Sequence, residues 1–283
     1  MEPAYLIVAS EEDPVAGAVR ALWGTPPATG WTVDGSAVRR LTDRALLLVR
    51  PGRHVHDERL DARLPAALRR ADLPLVFPSI HRSGAGTATF TVHPLGNPTD
   101  RADVGGRPGA FTPAAPRWMA DALRRLSEAE RAGGLGATYE ATHHGPYLEQ
   151  PAFFVEIGFG DAPGPPAAAV RELARVLLEL REDPADRVVV GAGGGHYVPH
   201  FTELATERSW AFGHLLSRHA LAEATPAMLD AAIAATPGAE GVLFARASDA
   251  LDPRWARLGA RRRETEAPRR ISRGGGASPP SGT

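Results

Sequence analysis

The stretch Val188-Val189-Val190-Gly191-Ala192-Gly193-Gly194-Gly195-His196-Tyr197-Val198-Pro199-His200 constrains this chain more than any other. Its β-branched run predicts a buried strand, and the glycines that follow predict a loop whose backbone comes close to another surface. That loop delivers two histidines and a tyrosine, none of which a simple chain reversal needs. Chemistry is therefore expected here.

The loop is not a dinucleotide fingerprint. Gly191 and Gly193 begin G-x-G-x-x-G, but His196 stands where the third glycine belongs, and Pro199 disfavours the helix that would receive a pyrophosphate. The Lys-Ser/Thr of a phosphate loop is also missing. His196 and His200 have the i, i+4 spacing of a helical metal pair, yet Pro199 would lie inside that helix, so a loop is expected for both.

Elsewhere the chain alternates strand and helix patterns. Tyr5 to Ala9 reads as a buried strand, and Ser10-Glu11-Glu12-Asp13-Pro14 opens a helix over Val15 to Leu22. Strands are expected at Arg39 to Thr42, Ala45 to Val49 and Leu73 to Phe77. A helix is expected at Asp57 to Ala71, with leucines at 60, 64 and 68. Ser79 to Gly86 precedes an alternating strand, Thr87 to His93, and Gly96 to Pro116 reads as a long loop that covers or shapes a site. Arg117 to Ala132 is an amphipathic helix. Ala137 to Thr142 is a strand ending in His143-His144, whose side chains would point to opposite faces.

Pro151 to Gly158 is a near-continuous apolar strand containing one acid, Glu156, which needs a partner if buried. Pro166 to Leu180 is a helix. After the glycine loop, Phe201 to Arg208 and Trp210 to Leu216 are expected as short helical pieces, Thr225 to Ala235 as a capped helix, and Gly241 to Ala245 as the last strand. Asp252-Pro253 opens a final helix that ends near Arg263. The fold class is α/β, with a mixed or largely parallel sheet flanked by helices. Such sheets bind ligands beyond the carboxyl ends of their strands, where His93, His143, His144 and His196 are all expected.

The expected organisation is a single catalytic domain over residues 1–263 and a disordered Arg/Gly/Pro/Ser-rich tail over 264–283. No apolar run approaches the length of a membrane span, and Met1-Glu2-Pro3-Ala4 lacks the basic start of a secretion signal, so a cytoplasmic protein is expected. With no cysteine, a metal would rely on His, Asp and Glu. Lysine is absent. Arg261 to Thr283 is net basic and the rest net acidic, which excludes a general polyanion binder. Histidine and glutamate without a cysteine or a serine elbow point to hydrolysis by an activated water, using a histidine base or a His/Glu-bound Zn²⁺.

Several blocks together resemble the D-aminoacyl-tRNA deacylases of the archaeal and plant type. They are Ser10-Glu11-Glu12-Asp13-Pro14, Thr91-Val92-His93-Pro94-Leu95-Gly96-Asn97, Ala141-Thr142-His143-His144-Gly145-Pro146, Phe154-Val155-Glu156-Ile157-Gly158, Gly193-Gly194-Gly195-His196-Tyr197-Val198-Pro199 and Trp210-Ala211-Phe212-Gly213-His214. The resemblance implies a zinc-dependent enzyme that hydrolyses the ester between a D-amino acid and the 3′ end of tRNA, on a fold similar to peptidyl-tRNA hydrolase and the phosphorylases. The partner is then the aminoacylated 3′ end of tRNA; no membrane association is expected, from the lack of a spanning apolar run, and no obligate protein partner is evident in the sequence.

On this resemblance His143, His144, Glu156 and His196 are the candidate catalytic groups, with His143, Glu156 and His196 as candidate zinc ligands. His81, His93, Gly193, Gly194, Gly195, Tyr197 and His200 are candidate substrate-binding residues, the glycine N–H groups lying near the carbonyl oxygen or the terminal ribose. The chain departs from the family pattern at Ile80, at Phe159 to Asp161, and at His200. The alternatives are a related hydrolase or phosphorylase acting on peptidyl-tRNA or a nucleoside, and a non-catalytic RNA-end binding protein.

Overall fold

The computed structural model describes residues 2–81, 88–131, 134–160 and 162–264. Residues 82–87, with the start of the expected strand Thr87 to His93, and residues 132–133, 161 and 265–283 lie outside the described residues, while Glu264, expected in the tail, lies in a strand. Strand β1 (Tyr5–Ser10) leads into α1 (Pro14–Trp23), whose first turn is capped by the Asp13 carboxylate accepting from the Val15 and Ala16 N–H groups. There follow β2 (Ala28–Val33), β3 (Ser36–Arg40), β4 (Ala45–Arg50), the single turn α2 (Leu60–Arg63), β5 (Leu75–His81) and β6 (Thr89–Pro94). The middle of the chain supplies α3 (Pro116–Arg131), β7 (Gly136–Tyr139), β8 (Ala152–Gly158), α4 (Ala167–Glu179) and β9 (Arg187–Ala192). Last come α5 (Pro199–Glu207), β10 (Trp210–Leu216), α6 (Arg218–Glu223), α7 (Pro226–Ala234), β11 (Val242–Phe244), α8 (Ala247–Ala250) and β12 (Arg262–Glu264).

These strands form two sheets. The larger has the order β2-β3-β4-β1-β5-β8-β6-β7, and the smaller β10-β9-β11-β12. The smaller sheet is parallel throughout. The larger is parallel from β4 through β8 and mixed at both ends, because β2, β3 and β4 meander and β6 runs antiparallel to β8. A mixed, largely parallel α/β architecture was expected; the second sheet was not.

Alternation along the strands fixes the position of the site. Phe153, Val155 and Ile157 of β8 enter the core beneath α1, α3 and α4, and residues of the second sheet such as Val189, Phe212 and Leu243 join the same core. Phe154 faces the other way, packing with Leu6, Val8, Phe77, Leu60, Leu64 and Leu68. Glu156 shares that second side by the two-residue period of a strand.

Three expectations fail for local physical reasons. The helix over Asp57 to Ala71 is broken into α2 and a 3₁₀ turn at Ala66–Leu68, with Pro65 between them, although Leu60, Leu64 and Leu68 are buried as their spacing suggested. Trp210 to Leu216 is strand β10 and not a helical piece. All but Trp210 are buried, leaving no wet face for a surface helix, and a bulge between Phe212 and Leu215 disguises the strand period. The terminal helix is a 3₁₀ helix, Pro253–Arg261, followed by β12.

The sheets are tied together by Arg124 of α3. Its guanidinium grips Asp186, which precedes β9, through two hydrogen bonds of 2.7 and 2.8 Å and donates to the carbonyls of Ala205 and Trp210. Asp186 is buried, so losing its cation strands a charge. Arg124→Met is expected to lower unfolding stability by about 3 kcal/mol in urea denaturation; a change below about 0.5 kcal/mol would show that the tie is a surface contact.

Candidate functional site

Strand order determines what meets here. Because β8 lies between β5 and β6, Glu156 sits beside Ser79 in one register and Thr91 in the other. Its carboxylate reaches His81 Nδ1 at 3.4 Å on the β5 side and His93 Nε2 at 3.6 Å on the β6 side. Burial works against ionising Glu156, but hydrogen bonding to His81 and His93 outweighs it and holds the carboxyl pKa down at about 2. Burial likewise opposes charge on His81 and His93, and their bonds to Glu156 with the field of Glu140 raise both above the ordinary histidine value.

The strand that should carry His143 and His144 stops at Tyr139. Beyond it the chain pairs with the glycine loop: Glu140 bridges Tyr197, the Ala141 N–H donates to the His196 carbonyl, and the Val198 N–H donates to the Tyr139 carbonyl. The two histidines therefore do not diverge to opposite faces. Their rings lie 4.5 Å apart, with His143 4.1 Å from His93 and 4.8 Å from His196. His144 adopts φ of 44°, a left-handed backbone uncommon for a side-chain-bearing residue, and its carbonyl accepts from the Gly96 N–H.

Three rings share one arrangement. The Nδ1 atoms of His93, His143 and His144 lie 3.2, 2.8 and 2.8 Å from the carbonyl oxygens of Pro94, Ala141 and Gly145. A carbonyl only accepts, so each Nδ1 carries the proton; this leaves the Nε2 atoms of His143 and His144 with their lone pairs in the neutral rings, while His93 Nε2 faces the Glu156 carboxylate. Burial and the neighbouring histidines keep His143 well below the ordinary value, and His144 is lowered to about 4. Both are neutral near pH 7.

A fourth element, absent from the sequence reading, is Glu140. It is fully buried, its Oε1 lies 3.2 Å from His81 Nδ1 and 3.3 Å from His196 Nε2, and neither carboxylate oxygen has a well-formed hydrogen bond. His93 Nε2 is also buried without one. Among the described residues, three sets bring one ligand atom each within 4.8 Å of the others: His93, His143 and His144; His81, Glu140 and His196; and His93, Glu140 and Glu156. Buried lone pairs that no proton satisfies suit a cation, and imidazole nitrogen with carboxylate oxygen is a fitting donor set. The expected ligand trio of His143, Glu156 and His196 is divided among these sets. No single one contains all three.

His81, His143, His144, Glu156 and His196 line a cavity of about 650 Å³ together with Ser10, Glu12, Asp13, Arg53, His54, Val55, Ile80 and Val104. Asp13 holds the wall together, since its second oxygen accepts from Ser79 Oγ and the Ile80 N–H. His54 is fixed by the Ser10 N–H donating to its Nε2 at 2.8 Å and by edge-on contacts with Phe77 and Phe154. Tyr197 reaches the site through its hydroxyl, 2.9 Å from His81 Nε2.

Two sequence candidates fall elsewhere. Gly193, Gly194 and Gly195 are not among the cavity-lining residues, and the Gly193 N–H donates to the Leu216 carbonyl. Their role is geometric: Gly193 and Gly194 take φ of 116° and 85°, which shapes the loop carrying His196. His200 lies on α5, its ring against Phe201, away from the cavity lining. Pro199 begins that helix, so His196 and His200 share no helical face.

A centre of five histidines and two glutamates at the edge of a largely parallel sheet is the class of site this fold defines. The family model for D-aminoacyl-tRNA deacylase matches residues 70–254, and the chain belongs to that family. It is 40% identical over 212 residues to a D-aminoacyl-tRNA deacylase of Methanosphaerula palustris, covering 73% of this chain and 46% of that protein. It is 32% identical over 244 residues to one of Thermoplasma acidophilum, covering 86% of this chain and 90% of the other. The chain thus spans about half of the first relative and most of the second. A crystal structure of a conserved protein of unknown function superposes with a TM-score of 0.75 at 26% identity, covering 86% of each chain.

His214 supports the histidine pair from behind. The Leu215 N–H donates to Thr142 Oγ1, which lies 3.1 Å from His214 Nδ1, and His214 Nε2 lies 3.0 Å from the Thr112 carbonyl. Burial lowers its pKa from 6.5 to about 3. A folded value below the unfolded one contributes stability that is fully present above pH 6.5 and lost as pH falls toward 3. Stability is expected to decline across that window, and His214→Gln to flatten the decline; equal acid slopes in pH-dependent denaturation would contradict the assignment.

Proposed function

We propose that this chain hydrolyses the ester of D-aminoacyl-tRNA, releasing free D-amino acid and tRNA, with the histidine–glutamate cluster as its reaction centre. The observation that carries the reading is the closeness of ligand atoms within two groups that share His93, one with His143 and His144 and one with Glu140 and Glu156, beside a cavity that His143, His144 and Glu156 line. Family membership supplies the substrate class. The partner is the aminoacylated 3′ end of tRNA, the work is done in the cytoplasm, and residues 1–263 act as one catalytic domain.

Zn²⁺ is the cofactor that fits. His93, His143 and His144 would hold it. When bound, it would supply a Lewis acid and make water acidic enough to attack near neutral pH. The chain's own groups divide the remaining work. Glu140, buried and without a well-formed hydrogen bond, accepts the proton of the attacking water. His196, half-exposed and 3.3 Å from Glu140, passes that proton to the leaving ribose oxygen or to solvent. Glu156, locked between His81 and His93, positions those rings and does not itself exchange protons near pH 7.

Incubation with D-tyrosyl-tRNA and L-tyrosyl-tRNA tests the reading. The D-ester is expected to be cleaved and the L-ester spared, with Glu140→Gln and His143→Ala each lowering kcat/KM by about 10²–10⁴-fold. Cleavage of peptidyl-tRNA in place of the D-ester, or equal rates on both enantiomers, would overturn it. Mass spectrometry is expected to find zinc, and a chelator to abolish activity; full activity in a zinc-free preparation would remove the metal from the scheme.

A further inference from the structure

The lining of the same cavity carries one arginine whose role the proposed hydrolysis leaves open, Arg53. It is exposed, and it is the one arginine among the lining residues. Glu12 shares the mouth, yet no ion pair joins the two among the described contacts, while Asp13 is occupied by the α1 cap, Ser79 and Ile80. The backbone beneath Arg53 is fixed on both sides. Arg50 is buried and bonded to Asp34, to Asp57 and to the Val33 carbonyl, and His54 is held by the Ser10 N–H and by two phenylalanine rings. The His56 N–H donates to the Arg53 carbonyl. An uncommitted guanidinium on a well-tied stretch of backbone, lining the same cavity as the reaction centre, is arranged to hold an anion near that centre.

We propose that Arg53 binds the 5′-phosphate of the nucleotide whose ribose carries the ester, so that one terminal nucleotide is measured between guanidinium and histidines. The inference rests on the proposed ester hydrolysis. A phosphodiester stands only a few bonds along the ribose from the ester oxygen, so both ends of one nucleotide fall within one cavity. The planar guanidinium matches a phosphate with two parallel hydrogen bonds, which a histidine or a main-chain N–H cannot reproduce. The neutral side chains Ile80 and Val104 on the same lining supply no competing cation.

Binding and turnover read the proposal separately. Wild-type protein is expected to bind 5′-AMP about tenfold more tightly than adenosine by calorimetry, and Arg53→Ala to erase that preference while binding adenosine unchanged. With D-tyrosyl-tRNA, Arg53→Ala is expected to raise KM about tenfold with kcat within about twofold, and to reduce the salt slope of log affinity by about 0.7. Hydrolysis of 3′-O-(D-tyrosyl)adenosine, which has no 5′-phosphate, is expected to be unaffected. Equal wild-type affinities for 5′-AMP and adenosine would overturn the assignment, as would equal losses on both ester substrates. A wild-type preference for 5′-AMP without D-ester cleavage would leave the phosphate site standing and sink the hydrolysis reading.

Discussion

A single carboxylate on a strand buried along its whole length organises the molecule. Glu156 could not remain ionised at the centre of an eight-stranded sheet without compensation, and the compensation comes from imidazoles on the two strands that flank it. This requires β5, β8 and β6 to lie side by side, although β6 precedes β8 in the chain by almost sixty residues and runs against it. Once His81 and His93 are fixed by Glu156, Glu140 has two possible imidazole neighbours, His81 and His196. The second arrives only because the glycine loop pairs with residues 139 to 141.

That pairing gives the glycines their purpose. Gly191 approaches Leu215 so closely that an added Cβ would lie 2.5 Å from its side chain, and Gly193 and Gly194 use backbone conformations that favour glycine. The loop therefore turns sharply off β9 and lays His196 and Tyr197 against the edge of the first sheet. The smaller sheet is thus a support for two side chains. The same close packing holds the opposite rim, where a Cβ on Gly145 would lie 2.2 Å from the Gly106 nitrogen and the Glu58 carboxylate accepts from the Gly106 and Tyr147 N–H groups.

Sequence patterns with short range were legible. The β1–α1 unit, β8 with its lone acid, α4 and the glycine loop were all placed to within a few residues, because periodicity and capping act locally. His93, His143, His144 and His196 do meet as expected, but not by shared strand ends, since β6 runs antiparallel to β8 and His143 and His144 lie beyond β7 where the chain pairs with the glycine loop. Glu140 was not legible, because its partners come from residues 81 and 196, and a lone acid after Thr138-Tyr139 resembles any strand-end carboxylate. His54 was hidden in a Pro-Gly-rich turn, where nothing nearby signals that it meets Phe77 and Phe154. The break at Pro65 was written in the sequence and outweighed by the leucine spacing, which recorded burial correctly and helix length wrongly.

The functional reading depends on lone pairs pointing to one place, and that depends on which ring nitrogen carries the proton. Long-range ¹H–¹⁵N correlation spectra of histidine side chains at pH 7, recorded without added metal, measure this directly. His143 and His144 are expected as neutral Nδ1–H tautomers, with their Nε2 resonances shifting on addition of Zn²⁺. Nε2–H tautomers, or imidazolium rings whose signals ignore the metal, would contradict the proposed centre.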